Sequence, residues 1–201
     1  MKLKMILGLF IITPLVPVIV LAIVAETRGG VIVKLERVSE GNVIRVYKFR
    51  SMVVDAEKRN HEVVQETRDG KIVHKFKNDP RVTRVGRFLR RTSIDELPQL
   101  FNVLFGDMSL VGPRPHALGT KAEGKRFDEA VENYMRRYRV KPGLTGWAQV
   151  NGWRGETDTN VKLMERVRYD IEYIENWNFW LDLYILAITP VSLVVRSRNA
   201  Y

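Results

Sequence analysis

The sequence predicts an α+β fold, in which a small, mostly helical domain with short strands is anchored by an N-terminal membrane segment that bends back on itself. Three observations predict it. An apolar run over Met5–Ala25 contains two prolines, stretches of helical periodicity dominate the rest, and short alternating or glycine-flanked stretches lie between them. The predicted division is a re-entrant helix–break–helix segment over 1–28 and a globular domain over 29–201.

The composition limits the kinds of functional site and of partner that the chain can have. The chain has no cysteine, which excludes disulfide frameworks, thiolate metal sites and cysteine nucleophiles. Lys and Arg number 33 against 23 Asp and Glu, a formal net charge of +10. This balance favours anionic partners, namely nucleic acid, acidic lipid headgroups or phosphorylated small molecules.

The apolar run Met5–Ala25 is long enough for a bilayer, since it would reach about 31 Å as a straight helix. Pro14 and Pro17 lie in its middle and each removes an amide donor. Two arms of about nine residues would each reach roughly 14 Å, so a hairpin that enters and leaves by the same face fits. The Thr13 hydroxyl is expected to bond a freed carbonyl there. A kinked transmembrane helix is the alternative, while a signal peptide is disfavoured because the run is too long and no cleavage site follows.

Several elements follow in the first half of the chain. Apolar and polar residues alternate over Val43–Phe49 and predict a strand, and Asp55–Gln65 predicts a polar helix. Arg68–Lys71 predicts a turn between two short extended pieces, and Asp79-Pro80 is predicted to start a loop. A helix over Arg81–Arg91 is predicted to carry an apolar stripe and a basic face. That face is either solvated or in contact with phosphates or headgroups.

The segment Ser93–Phe105 predicts a helix that begins with polar residues. Ser93 and Glu96 have the spacing of a capping box, and Pro98 is the alternative first helical residue. Asp95 and Glu96 lie near the predicted helix N-terminus in both cases. Taken alone, they are expected only to cap the helix and complement its dipole.

The second half has two segments rich in glycine and proline. Ser109–Pro115 holds Arg114 between two prolines, which present its guanidinium on a stiff backbone. Lys141–Gly152 predicts a turn, a glycine-spaced approach and a short strand ending in Gln149 and Asn151. The C-terminal stretch Trp177–Val195 mixes aromatic and apolar residues and predicts either an interfacial membrane helix or a core helix.

Three long motifs occur together: KFRSM over Lys48–Met52, TRVGRFLRRTSIDELPQLFNVLFGDMSLVGPRP over Thr83–Pro115, and KPGLTGWAQVNG over Lys141–Gly152. They resemble the bacterial sugar transferase family, the monotopic polyprenol-phosphate phosphoglycosyl transferases. In that family the membrane segment is a re-entrant helix broken at a Ser-Pro pair, a place that Thr13-Pro14 occupies here. The family transfers a sugar 1-phosphate from a UDP-sugar to a polyprenol phosphate and releases UMP.

The resemblance implies roles for particular residues. The family's Asp-Glu dyad falls on Asp95 and Glu96, with Asp95 as the nucleophile that forms a covalent phosphosugar intermediate and both residues as candidate Mg²⁺ ligands. Glu96 is expected to bind the metal, orient Asp95 or assist the lipid phosphate. The remaining implied substrate contacts are Arg114, Lys48 and Arg50 for the nucleotide-sugar phosphates, Arg90 and Arg91 for the polyprenol phosphate, and Gln149, Asn151 and Arg154 for the nucleotide.

The stretch NGWRGETDT over Asn151–Thr159 resembles the branch that uses undecaprenyl phosphate with UDP-glucose or UDP-galactose. That branch usually carries further helices and a soluble domain before its catalytic part, so the chain is expected to be a fragment or a naturally short enzyme. The expected location is the bacterial inner membrane, with the catalytic domain on its cytoplasmic face and membrane lipids as partners. Nucleic acid is not an expected partner, and a homo-oligomer is left open.

Two other functions are compatible with parts of the sequence. A membrane-anchored basic module that binds nucleic acid or acidic lipid without catalysis would explain the charge. A hydrolase acting on UDP-sugar or polyprenyl diphosphate would use the same carboxylates and metal.

Overall fold

A computed structural model of the chain describes residues 14–39, 41–59, 65–66, 72–73, 79–155, 157 and 159–195. It contains both helices and strands, which confirms the α+β prediction. The helices are α1 Leu15–Glu26, α2 Arg84–Thr92, α3 Gln99–Phe105, α4 Phe127–Ala130, α5 Trp147–Val150, α6 Asn160–Glu175 and α7 Phe179–Val195, with 3₁₀ turns over Ile94–Glu96 and Tyr134–Arg139. The strands are β1 Ile32–Ser39, β2 Asn42–Phe49, β3 Gln65–Glu66, β4 Ile72–Val73, β5 Ser109–Val111, β6 His116–Ala117, β7 Lys121–Ala122, β8 Lys125–Arg126 and β9 Gly143–Thr145.

The chain divides into two compact units. The first comprises Met1–Val33 and Lys48–Leu97, and the second comprises Lys34–Tyr47 and Pro98–Tyr201. The predicted division into 1–28 and 29–201 rests on membrane placement rather than on packing, and it stays a prediction. In the three-stranded sheet, β1 lies between β2 and β6. The strand predicted over Val43–Phe49 is confirmed as β2.

In the first unit, α1 begins directly after Pro14 and holds Pro17 in its first turn. Both prolines are tolerated there because the first amides of a helix have no intrahelical acceptor. The helix therefore starts at the predicted break. Thr13 and the first half of the apolar run lie outside the described residues, so the hairpin stays a prediction. Across the part of the chain that the structure describes, no helix is both long and apolar enough to cross a membrane.

One face of α1 packs into the core of the first unit, where Ile19 and Ile23 meet Phe49 and Leu89. The opposite face is exposed although it is apolar; it consists of Leu15, Val18, Leu21 and Val24. An exposed apolar face of this kind is unusual for a helix in water and typical of an interaction with lipid or protein.

The start of α2 is fixed from two sides. The Thr83 hydroxyl accepts a hydrogen bond from the Gly86 amide at 2.8 Å, and the Glu26 carboxylate accepts from the Arg84 and Val85 amides at 2.6 and 2.8 Å. Gly86 is required for packing, because a Cβ there would lie 2.0 Å from the Ser51 carbonyl oxygen. The helix predicted over Arg81–Arg91 is thus confirmed from Arg84 onward.

Arg81 itself lies in the preceding turn, buried against Asp79, with its guanidinium Nη2 2.7 Å from the Asp79 carboxylate. The loop predicted to start at Asp79-Pro80 is confirmed by this turn. Strands β3 and β4 pair antiparallel, which confirms the two short extended pieces. The turn predicted between them, Arg68–Lys71, lies outside the described residues.

Three predictions of local structure are wrong. The helix over Asp55–Gln65 is replaced by a turn at its start, where Asp55 has a left-handed φ of 63°, and by β3 at its end. Ser93 also adopts the left-handed conformation, with φ 60°, so it ends α2 and does not cap a following helix through its side chain. The predicted helix over Ser93–Phe105 is therefore divided into a 3₁₀ turn and α3, which Pro98 precedes.

The third correction concerns the second unit. The strand predicted to end in Gln149 and Asn151 stops at Thr145, and Gln149 lies in α5. The cause is the close approach of two backbones: β9 pairs parallel with β5, and a Cβ on Gly143 would lie 2.1 Å from the Gly112 amide nitrogen. Gly146 then turns the chain into α5.

The second unit has two apolar clusters. One joins Phe127 and Tyr134 to Leu163 and Val167 of α6, and the other joins Val111, Val150, Tyr173 and Ile185. The C-terminal helix α7 therefore packs through Ile185, as a core helix does. Its exposed aromatic residues are Phe179, Trp180 and Tyr184, preceded by Trp177. The interfacial character predicted for this stretch is compatible with that second face.

Candidate active site

The first unit brings together Lys48, Asp95 and Glu96. The Lys48 ammonium lies 2.8 Å from Glu96 Oε1 and 3.6 Å from Asp95 Oδ2. Asp95 and Glu96 are only 5% and 8% exposed, so both carboxylates are largely removed from bulk water. Burial of two carboxylates is costly without positive charge nearby, and the Lys48 ammonium supplies such a charge to both of them.

The local fold explains how two adjacent acids become buried. Left-handed Ser93 ends α2, and the chain tightens into the 3₁₀ turn Ile94–Glu96. Ile94 and Leu97 pack against the apolar cluster that holds Leu89. The residues between them, Asp95 and Glu96, are carried with this turn to the end of β2, where Lys48 meets them.

This carboxylate pair fits a magnesium ion. Mg²⁺ commonly takes one or two protein carboxylates and completes its shell with phosphate oxygens and water. No group of three or more acidic, His or Cys side chains suited to a metal occurs among the residues that the structure describes.

Other predicted contacts in the first unit have protein partners. The Arg50 guanidinium is buried and donates to the Thr27 and Arg28 carbonyls at 2.6 and 2.9 Å, next to the C-terminal end of α1. Arg90 Nε donates to Ser51 Oγ at 2.8 Å. Arg91 is exposed. Their roles as substrate ligands stay predictions, and Arg50 has a clear structural task in addition.

Arg114 belongs to the second unit. It lies half-buried between Pro113 and Pro115 and lines a recess that also contains Tyr138 and Pro142. Its backbone carbonyl accepts a hydrogen bond from Arg137 Nη2 at 2.8 Å. The predicted stiffness of this segment thus has a second source. The two prolines restrict the backbone, and the buried Arg137 guanidinium holds it as well.

The three residues predicted to contact the nucleotide also lie in the second unit. Gln149 is buried, and its Nε2 donates to the Leu144 carbonyl at 3.3 Å, while its Oε1 is buried without a hydrogen-bond partner in this part of the structure. Asn151 Nδ2 donates to the Trp147 carbonyl at 2.9 Å. Arg154 is half-buried in the loop that follows. An unpaired buried acceptor is costly, so Gln149 Oε1 is suited to a donor from a ligand.

Sequence reasoning missed a buried polar network in the second unit. Arg137 donates to the Asp170 carboxylate at 2.6 Å and to the Tyr134 hydroxyl at 2.7 Å, and the Tyr134 oxygen lies 2.7 Å from His116 Nδ1. Arg137 and Asp170 are separated by 33 positions in the chain, so no local pattern reveals the pair. Buried Asn102 was also missed; it binds the backbone of β2 through the Arg45 carbonyl and the Tyr47 amide.

The network makes stability depend on pH through His116. Burial, together with the positive charge of Arg137, lowers the pKa of His116 from 6.5 to about 4. The unfolded chain binds a proton near pH 6.5 and the folded chain only near pH 4. The free energy of unfolding is therefore expected to fall by roughly 2 kcal/mol between these values, after allowance for partial exposure. Urea denaturation at pH 7 and pH 5, followed by tryptophan fluorescence, measures it.

His116→Gln is the matched variant, because a carboxamide accepts the Tyr134 hydrogen bond but does not titrate. It is expected to lose less stability between pH 7 and pH 5 than the parent chain. An equal loss in both proteins would show that other groups cause the pH dependence.

Comparison with known proteins gives the family of this chain. The family model described as bacterial sugar transferase matches residues 3–196. The chain therefore belongs to the bacterial sugar transferase family.

Three relatives illustrate the match. The chain is 48% identical over 194 residues to the UDP-glucose:undecaprenyl-phosphate glucose-1-phosphate transferase of Klebsiella pneumoniae, covering 96% of this chain and 38% of that protein. It is 40% identical over 193 residues to the exopolysaccharide production protein PSS of Rhizobium leguminosarum bv. phaseoli, covering 96% and 92%. It is 41% identical over 201 residues to the UDP-galactose-lipid carrier transferase of Erwinia amylovora, covering 96% and 40%. The chain thus spans well under half of two of these relatives.

Proposed function

We propose that this chain transfers a sugar 1-phosphate from a UDP-sugar to a polyprenol phosphate and releases UMP, as the first membrane step of exopolysaccharide assembly. The observation that carries the proposal is the buried Asp95–Glu96 pair in contact with Lys48, within the residues that the family model matches. Relatives named for UDP-glucose and UDP-galactose support these two donors, and undecaprenyl phosphate is the acceptor named for the first of them.

In the first step of the proposed mechanism, an Asp95 carboxylate oxygen attacks the sugar-bearing phosphorus of the UDP-sugar. The bond from that phosphorus to the bridging oxygen breaks, and UMP leaves with the bonding electrons. Asp95 then carries the phosphosugar as an acyl phosphate. Lys48, whose ammonium lies 3.6 Å from Asp95 Oδ2, is proposed to orient the attacking carboxylate.

In the second step, an oxygen of the polyprenol phosphate attacks the same phosphorus. The bond to Asp95 breaks, which restores the carboxylate and gives a polyprenyl diphosphate sugar. Glu96 and Asp95 would hold Mg²⁺, whose charge offsets that of the phosphate oxygens. Glu96 keeps its place through the 2.8 Å contact with Lys48.

Charge neutralisation and positioning dominate phosphoryl transfer, so arginines are assigned to the substrates. Arg114 is proposed to bind the nucleotide-sugar phosphates with a bidentate fork. Lys48 and Arg50 assist in the first unit, and Arg90 and Arg91 meet the polyprenol phosphate. Gln149, Asn151 and Arg154 contact the nucleotide. The buried Oε1 of Gln149 has no hydrogen-bond partner in the described part of the chain and is suited to accept from a donor on the base or the ribose.

The proposed location is the bacterial inner membrane, with the catalytic domain on the cytoplasmic face and membrane lipids as partners. The exposed apolar face of α1 supports it. So does α2, where the exposed side chains are Arg84, Arg87, Phe88 and Arg91, a basic and aromatic set suited to anionic headgroups. The exposed aromatic residues of α7 support a further interfacial contact.

The test is UMP release by the detergent-purified chain with Mg²⁺, a panel of UDP-sugars and undecaprenyl phosphate. We expect more than one UMP per enzyme molecule only when both a donor and the lipid acceptor are present, and the greatest release with UDP-glucose or UDP-galactose. Free sugar phosphate formed with water as the acceptor would indicate a hydrolase. Salt-sensitive DNA binding without any UMP would indicate a binding module instead.

The re-entrant topology has its own test, which uses the absence of cysteine in the 201-residue chain. In intact cells, Lys2→Cys is expected to resist a membrane-impermeant maleimide, as is Lys125→Cys in the catalytic domain. With Pro14→Ala and Pro17→Ala added, a straight helix is expected to carry position 2 to the periplasm, where it is labelled. Labelling of Lys2→Cys in the chain with both prolines would contradict the hairpin.

A further inference from the structure

Helix α6 carries two buried charged residues one turn apart, Arg166 and Asp170. Spacing of four positions places both side chains on one face of the helix. Neither is assigned a role in the proposed reaction. Each is connected, directly or through one further residue, to the backbone of a loop that carries a proposed substrate ligand.

The first connection runs through Arg137. Its Nε and Nη2 lie 3.1 and 2.6 Å from Asp170 Oδ2, and the same Nη2 donates to the Arg114 carbonyl at 2.8 Å. Its Nη1 donates to the Tyr134 hydroxyl at 2.7 Å. All three nitrogens of the guanidinium thus donate within the protein, and one of these hydrogen bonds fixes the backbone of Arg114.

The second connection is direct. Arg166 Nε donates to the Trp153 carbonyl at 3.1 Å, and Nη2 donates to the Gly155 carbonyl at 2.6 Å. These two carbonyls flank Arg154, the third residue proposed to contact the nucleotide. One guanidinium therefore spans the loop on both sides of that residue.

The charges of this cluster affect the pKa of Arg166. Burial lowers that pKa to about 10, and the charges of Arg137 and Arg114 contribute to the decrease, whereas the charge of Asp170 opposes it. Arg166 stays protonated at neutral pH, so positive charge exceeds negative charge in this cluster. Buried ion pairs contribute little net stability compared with apolar packing. Burial of these charged side chains is costly, and the cluster contacts the two loops that carry Arg114 and Arg154. Positioning of these loops for an anionic ligand explains the cluster better than stability alone.

We propose that Arg137 and Arg166, held by Asp170, are positioning residues that set the backbone of the Arg114 and Arg154 loops for a nucleotide-sugar diphosphate. This rests on the proposed function, because it takes the UDP-sugar as the ligand of both loops. A displacement of about 1 Å in such a loop is enough to reduce the rate of transfer strongly.

The experiment is a double-mutant cycle between Arg137→Lys and Arg114→Ala, measured as kcat/KM for the UDP-sugar. Lysine keeps the charge but cannot reach Asp170 and the Arg114 carbonyl as a fork does. We expect Arg137→Lys to lower kcat/KM about tenfold in the parent chain, mainly through KM. In the Arg114→Ala background, the guanidinium that would bind the substrate is already absent. Arg137→Lys is therefore expected to change kcat/KM less than about twofold there.

A second cycle combines Arg166→Lys with Arg154→Ala, and we expect the same result for the other loop. This cycle replaces the first one if Arg137→Lys does not fold. Arg136→Lys is the matched control: this neighbour of Arg137 pairs with Glu175 at the surface and is expected to leave kcat/KM unchanged. Equal losses in both backgrounds of the cycles would overturn the proposal and leave the two arginines as supports of the fold. Absence of turnover in the parent chain would instead refute the proposed function.

Discussion

Asp95→Asn is expected to abolish sugar-phosphate transfer, with UMP release falling by more than about 10³-fold. A carboxamide has nearly the shape of the carboxylate but cannot act as the attacking nucleophile. The fold is expected to persist, because Lys48 keeps its 2.8 Å contact with Glu96 in the variant. UMP release with undecaprenyl phosphate measures the effect, and thermal unfolding in the same detergent measures the stability.

Asp128→Asn is the control for this variant. Asp128 is an exposed acid that pairs with Arg126 outside the candidate site, so its amide is expected to leave UMP release unchanged. Transfer by Asp95→Asn at the parental rate would remove Asp95 from the nucleophile's position and leave it as a metal ligand or structural acid.

Lys48→Met is expected to have the second largest effect. It leaves Asp95 and Glu96 buried without the ammonium that lies against both, and their like charges then repel each other. We expect kcat to fall by about 10²-fold and the free energy of unfolding to fall by roughly 3 kcal/mol. Steady-state UMP release and urea denaturation measure the two effects separately.

Two variants calibrate this result. Lys48→Arg keeps a positive charge near both carboxylates and is expected to retain more kcat than Lys48→Met. Lys58→Met removes an exposed lysine that pairs with Asp55, and it is expected to leave the free energy of unfolding within about 0.5 kcal/mol of the parent value. If Lys48→Met kept the parental kcat, Lys48 would have no part in the reaction.

Local patterns predicted the parts of the fold that local chemistry determines. The alternation over Val43–Phe49 gave a strand, and the prolines marked where α1 begins, because both depend on a few neighbouring residues. Tertiary packing decided the parts that were wrong. The spacing of Ser93 and Glu96 satisfies a capping box, yet Ser93 adopts the left-handed conformation and does not cap through its side chain. Ile94 and Leu97, in the turn that follows, are partly buried against the apolar cluster of the first unit instead.

The candidate site divides in the same way. Asp95, Glu96 and Lys48 could be predicted from the motifs, and the structure brings these three together. Their arrangement could not be predicted, since Lys48 is separated from Glu96 by 48 positions. Arg137 could not be distinguished from the basic residues on either side of it, because only burial against Asp170 sets it apart.

The central claim is a covalent phosphosugar on Asp95, and intact-protein mass spectrometry tests it most directly. The detergent-purified chain is incubated briefly with Mg²⁺ and UDP-glucose or UDP-galactose, without a lipid acceptor. The mechanism predicts a mass gain of one hexose phosphate, absent in Asp95→Asn and lost when undecaprenyl phosphate is added. No mass gain with either donor, while UMP still forms once the lipid is present, would contradict the covalent intermediate and indicate direct transfer.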